Sequence, residues 1–86
     1  MEDPYEQIDR ILTESPKFER RVLAGIDYDN VQAWISAGIE PESIIQGIIK
    51  TLENFRPSPQ KKTIRSMAYF QPQILEAESQ RRANQR

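Results

Sequence analysis

The sequence predicts an all-α fold, a small orthogonal bundle of four to five short helices ending in a frayed basic C-terminal tail. Two observations predict it. Apolar residues recur at helical spacing in several short segments, and Pro or Gly punctuates nearly every junction between them. A third is length. Eighty-six residues make one domain with a single small core, read as 1–78, followed by a flexible basic tail over 79–86.

The first helix is predicted at about 4–14. Pro4 suits a first helical turn, and Glu2, Asp3 and Glu6 suit the positive end of the helix dipole. Ile8, Ile11 and Leu12 form a narrow i, i+3, i+4 stripe. Ser15-Pro16 reads as the N-cap and first residue of a second helix, about 16–24, burying Phe18 and Val22 with Leu23 alongside. Gly25 would close that helix, and Ile26 would pack back onto its last turn.

Asp27 or Asp29 would cap a third helix, about 28–37, with Val31, Trp34 and Ile35 on one face. Gly38 is its expected stop and Ile39 its C-terminal apolar contact. A fourth helix begins near Pro41 and carries Ile44, Ile45, Ile48, Ile49 and Leu52, a broad stripe that marks the central core helix. Isoleucine favours strands, but the four-residue spacing and the Pro start favour helix. Gly47 costs about 1 kcal/mol in a helix interior, and close approach of another helix is one reason to keep it there.

FRPSPQKK, 55–62, is a linker, because two prolines and two lysines oppose regular structure. IRSMAYF, 64–70, predicts a short helical turn. Pro72 opens a last helix, about 72–83, with Ile74, Leu75 and Ala77 inward.

Composition excludes much chemistry. With no cysteine and no histidine, Ser-His-Asp and Cys-His nucleophiles and almost every zinc site are ruled out. The expectation is a non-enzymatic chain with no cofactor and no small-molecule substrate. The cysteine count fits a reducing cytoplasm. No apolar run approaches the roughly 18–20 residues that span a bilayer.

Charge is unevenly placed. Residues 1–55 carry five basic and eleven acidic groups; residues 56–86 carry seven basic and two acidic. Such a split fits a basic arm that meets nucleic acid or an acidic partner, and equally fits two halves that attract each other. Lys61, Lys62 and Arg65 flank Tyr69-Phe70, a mixture that can neutralise phosphates and stack bases or simply pack. Arg81, Arg82 and Arg86 form a short basic terminus, worth only weak, salt-sensitive DNA contact. The acidic pairs Asp27/Asp29 and Glu40/Glu42 stand where helices begin, so capping accounts for them. Trp34 shares a stripe with Val31 and Ile35, so core packing is its default reading and a binding hot spot the alternative.

The tryptophan helix, the Ile-rich helix begun by Pro41 and the string IRSMAYFQPQI together resemble the C-terminal helical module of plasmid- and phage-type replication proteins. More loosely, they are similar to DnaD-like helicase-loader domains. The resemblance covers about 31–77. It implies that Trp34, Ile45, Ile48, Tyr69, Phe70 and Ile74 are scaffold residues and that Ser66 caps the aromatic turn. It also implies an accessory module of DNA replication or of a mobile element. Such a module would contact a protein partner through a helical face, with Lys61, Lys62, Arg65, Tyr69 and the terminal arginines touching DNA. The alternative is a small phage or plasmid regulator that inhibits a host complex through an acidic N-terminal surface, with Glu14 and Glu19 at its centre.

Overall fold

The computed structural model describes residues 3–19 and 25–84, and within them the chain is a small all-α bundle. Its elements are α1 (Pro4–Glu14), α2 (Gly25–Ser36), α3 (Pro41–Asn54), a 3₁₀ turn (Met67–Phe70) and α4 (Gln71–Asn84). α1 begins and ends where the pattern predicts. Asp3 adds a side-chain cap, accepting from the Tyr5 N–H at 2.8 Å. Ile8 and Leu12 are fully buried, so the narrow stripe docks firmly.

The second predicted helix is not found over its described part. Ser15 is the C-cap of α1, and Pro16 and Lys17 form a turn. Phe18 then pairs in a parallel bridge with Ile64, through Glu19 N–H to Ile64 O (2.9 Å) and Ile64 N–H to Lys17 O (2.7 Å). Those backbone groups are satisfied by a distant segment instead of by an i+4 neighbour, which removes the need for helix there. Val22 and Leu23 lie outside the described residues. Gly25 is the first residue of α2, and the helix it is expected to close lies from residue 20 outside the described residues. Ile26 is 64% exposed and does not pack back.

α2 begins about three residues earlier than its periodicity suggests. Asp27 therefore sits in its first turn, fully buried and partnered, not at a cap. The end of α2 follows the prediction. Gly38 adopts φ 92°, its N–H donates to Ile35 O, and the Ile39 N–H donates to Trp34 O. This is the paired 5→2 and 6→1 closure that a left-handed residue permits, with Ile39 buried behind it.

α3 is the central helix. Its core face is Ile44, Ile48 and Leu52; Ile45 is only partly buried against that core. Glu40, at the N-cap, makes no side-chain cap bond, so only the dipole argument survives for Glu40/Glu42. α3 and α4 share the most extensive helix contact, and Gly47 is the reason they can. A Cβ at Gly47 would stand 2.5 Å from Ile74 Cα and 2.6 Å from Ile74 N.

At the other end of α3, Lys17 Nζ donates to Leu52 O at 2.6 Å and Arg56 Nη1 to Glu53 O at 3.0 Å. Two cations thus satisfy carbonyls that have no helical partner, at the negative end of the dipole. Lys17→Met keeps the alkyl stem and removes the charge. It is expected to cost about 1 kcal/mol, read as a shift of the urea midpoint. No shift would mean the contact contributes nothing net.

After Phe55, which is buried, the linker is irregular as predicted, with one tight turn closed by reciprocal Ser58–Lys61 backbone bonds. Ser66 caps the 3₁₀ turn, accepting from the Ala68 N–H at 3.2 Å. Met67 and Phe70 go into the core, and Phe70 meets Phe18 at 5.9 Å between ring centroids.

On α4, Ile74 is buried but Leu75 is 48% exposed, against the prediction. Consecutive helix positions differ by about 100°, and the Gly47 contact commits Ile74, not Leu75, to α3. The helix continues through Asn84, where a frayed tail is expected from residue 79. The cause is Glu78, described next.

Candidate nucleic-acid interface

Sequence reasoning passes over Glu78, yet it is one of four buried polar or charged residues in the described chain. Its carboxylate accepts from Arg81 Nε (3.1 Å) and Nη2 (2.8 Å), from Arg82 Nε (2.7 Å), from Ser43 Oγ (2.8 Å) and from the Glu40 N–H (3.3 Å). The Arg81 fork, aided by Ser43, Glu40 and Arg82, holds the carboxyl well below the usual carboxylate range despite its burial. Glu78 in turn raises the Arg81 guanidinium.

The carboxylate sits at the N-terminus of α3, where the Glu40 side chain does not cap. An anion from α4 thus completes the end of α3. A signal for this is present in the sequence: Glu78 precedes Arg81 and Arg82 by three and four residues, the spacing of helical ion pairs.

The expected basic tail is therefore changed in kind. Arg81 and Arg82 are helical, and both are bound to a buried carboxylate. Arg86 lies outside the described residues. Arg81 lines a depression of about 500 Å³ between α3 and α4, where Glu42, Glu53 and Glu76 face Lys50 and Arg81. That mixture favours neither sign of ligand.

The other basic group converges. Lys61, Lys62, Arg65 and Tyr69 line one depression of about 330 Å³, with Ser66 beside them. The convergence has local causes. The Ser58–Lys61 turn brings Lys61 back across the aromatic turn, and its ammonium lies 4.2 Å from the Tyr69 ring centroid. The Ile64–Phe18 bridge fixes the chain between Lys62 and Arg65. Ser66 sets the 3₁₀ turn so that Phe70 is buried while Tyr69 stays 41% exposed, the division of the two rings that adjacent helical positions predict.

Arg65 Nε lies 3.3 Å from Glu19 Oε2, and both side chains are largely exposed, so the pair is worth little in water. Among the described residues neither Lys61 nor Lys62 has a carboxylate partner. Two positive charges here are therefore not neutralised by a carboxylate. The same ion pair bears on the acidic surface: Glu19 is engaged by the basic cluster, and Glu14 is the exposed last residue of α1.

Trp34 is buried, in agreement with its core reading. Among the described residues no cluster of three metal-ligating side chains occurs, and no helix is long and apolar enough to cross a membrane. Comparison with protein-family models, curated proteins and solved structures yields no match.

Proposed function

We propose that this chain is a non-enzymatic binding module that holds a nucleic-acid strand by its phosphates at Lys61 and Lys62, beside Tyr69. The observation that carries this reading is the convergence of three cations and an exposed aromatic ring on one depression, with two of the cations lacking a carboxylate partner. Ammonium groups gain by displacing condensed counterions from phosphates, and an aromatic ring adds contact that does not depend on sequence. The likeness of IRSMAYFQP to replication modules supports placing the strand contact within DNA replication or a mobile element. There a protein partner on a helical face would supply most of the affinity.

The test is fluorescence anisotropy with a labelled single strand across a salt series. Lys61→Ala/Lys62→Ala is expected to weaken binding about tenfold and to flatten the log–log salt slope by roughly 1.4, about 0.7 for each single-strand phosphate no longer neutralised. Arg81→Ala and Arg82→Ala are expected to leave that slope unchanged, because those groups already serve Glu78. Absence of binding at low salt would overturn the reading and turn attention to the acidic surface.

A further inference from the structure

Tyr69 lines two depressions. Beyond the basic one lies another of about 380 Å³, lined by Phe55, Tyr69 and Pro72 together with Asn54 and Gln73. The volume is within the range of sites that hold small ligands, about 300–1,000 Å³. Its composition also suits one: apolar and aromatic walls with a few polar groups. Phe55 and Tyr69 meet edge to face, ring centroids 6.0 Å apart and planes at 86°, so the rings form a corner rather than a filled stack. Gln73 Oε1 is buried and accepts from no donor among the described residues. That oxygen is closed to solvent, so the surfaces a ligand can meet here are the rings and Pro72.

We infer that this second depression takes one unpaired nucleobase, whose flanking phosphates lie over Lys61 and Lys62. The inference rests on the reading above and adds to it a preference for single strands. The ring shared by the two depressions places an apolar, aromatic-walled depression directly beside the cations. A nucleotide presents those two chemistries side by side. Every base has flat faces that an aromatic wall can meet; in a duplex those faces are stacked on neighbouring pairs. The charge of the neighbouring depression favours this occupant over a neutral apolar peptide.

The experiment compares three labelled oligonucleotides of equal length: a mixed-sequence single strand, a strand of abasic sites and a duplex. Wild type is expected to bind the mixed strand about tenfold more tightly than the abasic one, the order of one base–aromatic stack. Tyr69→Leu should shrink that ratio, and circular dichroism with urea midpoints confirms that the variant folds. Equal affinity for the mixed and abasic strands would overturn the base pocket while leaving the phosphate contact standing. Tighter binding of the duplex, or of a peptide alternating acidic and apolar residues, would also overturn it. Failure to bind any of the three oligonucleotides would overturn both readings.

Discussion

Replacing Gly47 with alanine is expected to destabilise the protein by about 2 kcal/mol, although alanine is the better helix former. In an isolated helix the change would gain about 1 kcal/mol. Here the new Cβ would meet Ile74 Cα at 2.5 Å and Ile74 N at 2.6 Å, well inside van der Waals contact. The obstruction is backbone, so no rotamer change removes it and α4 must move off α3. Overpacking of this kind costs typically 1–3 kcal/mol, occasionally more. For a domain of this size 2 kcal/mol lowers Tm by roughly 8–16 °C. Valine should be worse. Ile74→Ala relieves only the Cγ1 contact at 2.6 Å, so it should not rescue Gly47→Ala in a double-mutant cycle. A Gly47→Ala protein as stable as wild type would show that the two helices do not approach at this distance.

The second large effect is expected at Glu78. Glu78→Gln keeps the shape and can still accept from Ser43, but it removes the charge that Arg81 and Arg82 share. Loss of stability at neutral pH is expected, with Arg81→Ala more damaging than Arg82→Ala. Arg81 binds through two nitrogens and its side chain is 26% exposed; Arg82 binds through one and is 63% exposed.

The pH dependence follows from the depressed carboxyl. In the unfolded chain Glu78 titrates near the ordinary value of about 4.3, and in the folded protein it titrates well below that. Its stabilising contribution is therefore complete above the unfolded value and is lost as pH falls toward the folded one, because the unfolded state takes up the proton first. Urea midpoints measured from pH 7 down to pH 2 should fall below about pH 4.5, and Glu78→Gln should flatten that decline. An unchanged acid limb in Glu78→Gln would assign the acid sensitivity to other carboxylates. The consequence for function is direct. Arg81 and Arg82 look like a nucleic-acid arm in sequence, but they neutralise the carboxylate that joins α4 to the start of α3, so their loss should be read in stability before binding.

Local chemistry makes much of the fold legible. Pro4 and Pro41 start helices and Gly38 ends one, each through interactions within a few residues. Binary pattern likewise places Ile8, Leu12, Trp34, Ile44, Ile48 and Ile74 in the core. The segment after α1 departs from its pattern although Ser15-Pro16 carries a valid helix-start signal. What cancels the signal is a backbone pairing with Ile64, 46 positions away from Phe18. The candidate site divides in the same way. Its residues are legible in the chain, since Lys61, Lys62, Arg65 and Tyr69 are near neighbours there. Their geometry is not, since the bridge to Phe18 helps to set it.

The amino-acid sequence by itself determined the class of this protein: an all-helical domain of one core, without the side chains for thiol or imidazole chemistry. Those conclusions depend only on composition, period and local capping. Only the tertiary structure decided which charges are free. Arg81 is bound to a carboxylate that also reaches α3, Arg65 pairs with Glu19 from another part of the chain, and Lys61 and Lys62 are left to face outward. Pairing of charges is a matter of distances across the fold, and a linear count of charges does not contain them.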